Sequence, residues 1–116
     1  MAVDLAPFEL FESKAHPGTW CLRLMEDDMI DVMDVFDEHA QYGNGFAWEA
    51  VAHQIIRSYA TTLRGRFYTD PDAMIWLAYG PDRHALVELG IRMAEAWHHR
   101  GLLSQLIADA DPRWFD

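Results

Sequence analysis

In Pro7-Phe8-Glu9-Leu10-Phe11-Glu12 apolar and acidic residues approach a period of two, with Phe8 and Leu10 facing one way and Glu9 and Glu12 not both fitting, and the segment reads as a half-buried strand. Ser13-Lys14-Ala15-His16-Pro17-Gly18 is rich in turn formers, and Thr19-Trp20-Cys21-Leu22-Arg23-Leu24-Met25 resumes with β-branched and aromatic residues. The two segments predict an antiparallel hairpin. From Asp28 to about Gln41 the period becomes helical. Met29, Val32, Met33, Phe36 and Ala40 form one apolar stripe, with the acids on the opposite half of the wheel. A second helix from Phe46 to about Tyr59 places Trp48, Val51, Ala52, Ile55 and Tyr59 on its inner stripe, with Glu49, His53 and Arg57 pointing out. Between the two helices lies Gly43-Asn44-Gly45, where glycine's access to positive φ is expected to end one helix and start the next.

Arg66-Phe67-Tyr68-Thr69 and Met74-Ile75-Trp76-Leu77-Ala78-Tyr79 flank the turn Asp70-Pro71-Asp72 and predict a second hairpin. Its second strand is apolar on both faces, which suits a central position. Gly80-Pro81-Asp82 announces a helix, with proline at its first position. Leu86, Leu89, Met93 and Trp97 continue at helical spacing, and Gly101 is expected to separate a short last helix through Leu102, Leu103, Leu106 and Ile107. There is neither an internal repeat nor a low-complexity linker. The order β, β, α, α, β, β, α predicts an α+β fold in one domain, residues 1–116. Its four-stranded antiparallel sheet is packed on one face by helices, with Trp20, Trp48, Trp76 and Trp97 sharing one core.

Composition narrows the partners. A chain of 116 residues with 51% apolar and 13% aromatic content can build a core of its own. Its net charge of −10 and nine scattered Lys and Arg argue against nucleic acid or an anionic membrane as partner, because phosphate recognition needs clustered cations. The longest apolar run, Ala73 to Tyr79, is far short of the about 20 residues that span a bilayer. Cys21 is the one cysteine and has no internal disulfide partner, and Met1-Ala2-Val3-Asp4-Leu5 lacks the features of a signal peptide, so a cytoplasmic location is expected.

The charge is concentrated in one place. Glu26, Asp27, Asp28, Asp31, Asp34, Asp37 and Glu38 fall within thirteen residues that contain no Lys or Arg. Such runs commonly coat a solvated helix. Here, however, Asp34, Asp37 and Glu38 approach the end of the expected helix where negative charge is unfavourable. Like charges at i, i+3 and i, i+4 each cost about 0.2–0.5 kcal/mol, a total of about 1–2 kcal/mol for the helix. A cationic partner would remove that cost. Metal binding competes poorly for these carboxylates, since the spacing of a calcium loop is absent, and His98-His99 has no evident third ligand. Cys21 sits between Trp20 and Leu22 without a group to depress its pKa, and no nucleophile elbow, phosphate loop or zinc-protease motif occurs. No catalytic residue, metal ligand or cofactor is therefore expected. Trp48 suits a core anchor for the second helix, while Tyr42, Phe46 and Trp48 could also form an aromatic rim beside the acids. The expected partner-binding residues are Asp27, Asp28, Asp31, Asp34, Asp37 and Glu38, together with Tyr42, Phe46 and Glu49.

Gly43-Asn44-Gly45-Phe46-Ala47-Trp48-Glu49, followed by Met74-Ile75-Trp76-Leu77-Ala78-Tyr79-Gly80-Pro81-Asp82-Arg83-His84-Ala85-Leu86, resembles the immunity protein 51 family of bacterial polymorphic toxin systems over residues 40–108. Phe46 stands where that family more often has tyrosine. The resemblance implies a cytoplasmic antitoxin that binds and blocks a cognate toxin domain delivered between competing cells, without naming the toxin. The acidic run suits a basic toxin domain, such as a nuclease or another toxin acting on nucleic acid, whose phosphate groove an acidic helix could occupy. Two other classes remain open on the residues alone. One is an acidic interaction or regulatory module with no toxin partner, and the other is a small enzyme whose site is assembled only by the fold.

Overall fold

Trp20, Leu22 and Leu24 alternate with Cys21, Arg23 and Met25, so one strand sends three apolar side chains to one face, and two apolar side chains with Arg23 between them to the other. The computed structural model, which describes residues 4–115, shows which face is covered. β1 (Glu9–Glu12), β2 (Trp20–Met25), β3 (Tyr68–Thr69) and β4 (Ile75–Gly80) form one antiparallel sheet in the order β1-β2-β4-β3. Both expected hairpins are present, and β4 is central. Register pairs Leu22 with Ala78 and Leu24 with Trp76 on the core face. The opposite face carries Phe11, Cys21, Arg23, Leu77, Tyr79 and Tyr68, with the Arg23 guanidinium lying 4.7 Å over the Phe11 ring.

Helices pack on the core face, as the α+β reading anticipates. They are α1 (Glu26–Ile30), α2 (Met33–Asp37), α3 (Gly45–Tyr59), α4 (Arg83–His98) and α5 (Arg100–Asp109). Trp48 and Trp76 are fully buried, and Trp20 and Trp97 pack against the same core from its margin. Phe8 sets its ring edge-on to both buried indoles, at 5.8 Å from Trp48 and 6.1 Å from Trp76. Such aromatic edge contacts add about 0.5–1.5 kcal/mol each beyond the area they bury.

The single helix expected over Asp28–Gln41 is in fact two short ones, broken at Asp31 and Val32. Val32 has φ −122° and ψ 14°, and the backbone bonds across the break, Val32 N to Met29 O and Val35 N to Val32 O, are of the tighter i to i−3 kind. The break redistributes the charges without clearing the helix ends, since Asp31 caps the end of α1 and Asp37 and Glu38 stand at the end of α2. It gives Asp34 a helix start of its own, where an anion is favoured, instead of a helix end. It also turns the buried stripe: Met29, Val32, Val35 and Phe36 are buried, whereas Met33 is half-buried and Ala40 exposed. The segment then ends with Gln41 N bonding Phe36 O and Ala40 N bonding Asp37 O, a Schellman ending that holds Ala40 at φ 57°, the left-handed position usually given to glycine.

Other boundaries move for local reasons. Asp82 is the N-cap of α4, accepting from Ala85 N at 3.0 Å, so Pro81 precedes the helix instead of opening it. The break between the last two helices falls at His99, in extended conformation, and Gly101 lies inside α5. Gly43 and Gly45 have no positive φ. Their role is close approach: an added Cβ would sit 2.7 Å from the Phe36 ring at Gly43, and 1.9 Å from Asp72 O and 2.5 Å from Ile75 O at Gly45. Asn44 between them caps α3, its side chain accepting from Ala47 N at 3.1 Å.

A candidate partner-binding surface

The seven carboxylates from Glu26 to Glu38 lie on α1, on α2 and at their C-caps, and their surroundings differ. Glu26, Asp27, Asp31, Asp37 and Glu38 are exposed. Asp34 meets the Arg100 guanidinium, whose hydrogen bond holds the carboxyl below the usual range. Among the described residues it is the one member of the run with an ion-pair partner. Asp28 is half-buried, and burial, followed by the neighbouring charges of Asp31, Asp27 and Glu9, pushes its carboxyl up. Its backbone carbonyl accepts from Trp97 Nε1 at 2.8 Å, which ties α1 to α4. The nominated acids thus lie on an anchored segment, and among the described residues most of them have no counter-charge.

Apolar groups surround the near end of this acidic surface. Ile30 is 54% exposed, Tyr42 67% and Met74 57%, with Met25 and Phe46 also exposed. A notch of about 260 Å³ opens among Glu26, Met29, Ile30, Met33, Tyr42 and Ala73. Its far wall is the Asp72–Ile75 turn, against which the start of α3 packs through Gly45 N bonding Ala73 O at 3.3 Å. Tyr42 and Phe46 therefore do lie on the surface, as expected. Trp48 does not contribute to an aromatic rim, being enclosed between Phe8 and Phe36. The apolar members Ile30 and Met74 were not singled out in the sequence, because a lone exposed side chain has no periodic signature.

Glu49 is a correction. It was expected to point outward beside Tyr42, but it turns toward the sheet, where Oε1 accepts from Trp76 Nε1 at 2.8 Å and Oε2 accepts from Thr69 Oγ1 at 2.6 Å. His53 Nε2 lies 3.1 Å from the same oxygen. Glu49, His53, Arg57, Arg64, Thr69 and Trp114 line a separate cavity of about 350 Å³. Arg57 stacks 4.7 Å over Trp114 and donates to Asp109 O at 2.8 Å, fastening the C-terminal turn to α3. The missed signal was Trp76, whose buried indole N–H takes the acid at the start of α3 as its acceptor.

This group gives a pH dependence whose sign can be worked out. Burial pushes the Glu49 carboxyl up, but the hydrogen bonds from His53, Thr69 and Trp76 outweigh it and leave the group below its ordinary 4.5. The hydrogen bond to Glu49 raises His53 above its ordinary 6.5. Glu49 therefore stabilises the fold above pH 4.5 and loses that contribution as pH falls through its depressed folded value. His53 contributes fully below 6.5 and loses its share as pH rises through its elevated folded value. In urea unfolding between about pH 5.5 and 8.5, the stability difference between wild type and His53→Gln should shrink as pH rises. A constant difference would show that the pair carries no proton linkage. The effect is modest, since the His53 side chain is half exposed.

Burial pushes the Cys21 thiol up against the opposing charge of Arg23, which disfavours the thiolate. Among the described residues no three His, Cys, Asp or Glu side chains converge as metal ligands, and no helix is long and apolar enough to cross a membrane.

The model of the immunity protein 51 family matches residues 8–112, taking in the first hairpin as well as the segments that carry the resemblance in sequence. No curated protein and no solved structure matches the chain.

Proposed function

Because the chain belongs to the immunity protein 51 family, we propose that it is a cytoplasmic antitoxin that binds a cognate toxin domain through the α1–α2 acidic surface and blocks it without catalysis of its own. The observation that carries this reading is the placement of exposed carboxylates, all but Asp34 lacking a cationic partner among the described residues, beside exposed Ile30, Tyr42, Phe46 and Met74. Apolar anchors beside exposed charge suit a protein interface in which the charges guide encounter and the anchors hold it. The partner suited to this surface is basic, and a toxin that must attract phosphate to its own groove has that character. Asp27, Asp31, Asp37 and Glu38 would then take the place of phosphates, with Asp28 and Asp34 held closer to the protein body. Glu49 supports the fold of this surface from behind instead of touching the partner.

Co-expression tests the reading. The chain should restore growth to cells making the toxin domain encoded beside it and should elute with that domain as a stable complex. Growth arrest despite soluble chain, with no complex formed, would refute it.

A further inference from the structure

We propose that the notch between α1, Tyr42 and the Asp72–Ile75 turn is a receptor for a single arginine or lysine side chain of the toxin domain, with Glu26 as its counter-ion. The inference rests on the antitoxin reading and adds which partner group enters and where.

The lining has the two parts that a long cationic side chain requires. Ile30 and Met33 provide a wall of methylene, methyl and thioether groups along which an aliphatic stem can lie, with buried Met29 beneath them, and Ala73 closes the other side. Tyr42 lines the edge of the notch, where an aromatic face can receive a cation. Glu26 supplies the carboxylate, and Asp27 follows it in the first turn of α1. Among the described residues no Lys, Arg or His lines the notch or pairs with Glu26, so the site has a charge deficit that one incoming cation would fill. A purely apolar anchor would bury Glu26 without a partner, which is unfavourable. An acidic anchor would meet like charge.

The depth of the notch is fixed by the fold. Gly43 allows the chain to pass over the Phe36 ring, and Gly45 brings α3 against the carbonyls of Asp72 and Ile75, so the Ala73 wall is held to α3 by backbone contact. A preformed cleft of this kind spares the ordering cost that a mobile loop would impose on binding.

The probe is N-acetylarginine methylamide, titrated into the full chain carrying methyl-labelled methionine, with N-acetylnorleucine methylamide as the uncharged control. The arginine compound should shift the Met29 and Met33 methyl signals with saturation in the millimolar range, and the norleucine compound should shift them far less. Glu26→Gln should weaken the arginine response several-fold, and Tyr42→Leu should do the same while Tyr42→Phe retains it. Equal responses to both compounds would identify an apolar pocket and overturn the proposal, as would an absence of response in the folded chain. Against the toxin domain itself, Glu26→Gln should weaken binding by about 30-fold, the loss expected when one member of a desolvated charge pair is removed. Failure of the antitoxin reading would appear separately, as wild-type chain that does not bind the toxin at all.

Discussion

Gly45→Ala is expected to lower the stability of the chain by about 3 kcal/mol or more, a fall in melting temperature of roughly 10–15 °C. The added methyl carbon would sit 1.9 Å from Asp72 O and 2.5 Å from Ile75 O, and neither atom belongs to a side chain that could rotate away. The turn that bears these carbonyls is itself tightly bonded. Asp72 Oδ1 accepts from Met74 N at 2.8 Å and Ile75 N at 2.9 Å, and Asp72 N donates to Ile75 O at 2.9 Å. Relief would require α3 to withdraw, which would uncover Trp48 and disturb the Ala73 wall of the notch. Gly101→Ala provides the contrast. It lies in α5 with nothing within 4 Å of an added Cβ, so it should leave the melting temperature level or raise it slightly. Thermal unfolding followed by circular dichroism compares the two variants. Equal melting temperatures for Gly45→Ala and wild type would mean that α3 does not approach the turn as closely as the structure shows.

The sheet was readable because period-two alternation and two turn-rich segments leave few alternatives, and because β4, apolar on both faces, suited the centre. The Gly43-Asn44-Gly45 segment was legible as a boundary but not in its mechanism. Sequence can show that glycine is there, but whether the reason is positive φ or a neighbouring carbonyl depends on a contact made with Asp72, far along the chain. The acidic run was legible in composition and misread in conformation. The one helix that was expected is broken at Val32, which places Asp34 in a first turn and buries Val35 while Asp37 and Glu38 remain at a helix end. Glu49 was misplaced for a related reason: on a helical wheel it lies with His53 and Arg57, yet its orientation is decided by the Trp76 indole across the core.

Reversing the charge of Asp27, Asp31 and Asp37 together, each to Lys, should weaken the complex with the toxin domain by at least about 100-fold and slow association most of all. These three are exposed and lack ion-pair partners among the described residues, so their removal leaves no orphaned cation. Asp34 is left unchanged because Lys at that position would face Arg100. The chain itself should not suffer. The carboxylates repel one another, and Asp28 registers that repulsion in a carboxyl pushed up by Asp31 and Asp27 as well as by burial. The triple variant should therefore melt at or slightly above the wild-type temperature while binding poorly, a combination that separates a functional role from a structural one. For wild type, the association rate should fall steeply as salt is raised, since exposed charges are screened beyond about 8–10 Å at physiological ionic strength. The variant should start slow and respond little. Surface plasmon resonance across a salt series measures both quantities. Unchanged affinity and a salt-independent on-rate would assign α1 and α2 to solvent and move the search for the interface to the uncovered face of the sheet, where Phe11, Leu77, Tyr68 and Tyr79 surround the Glu9–Arg23 pair.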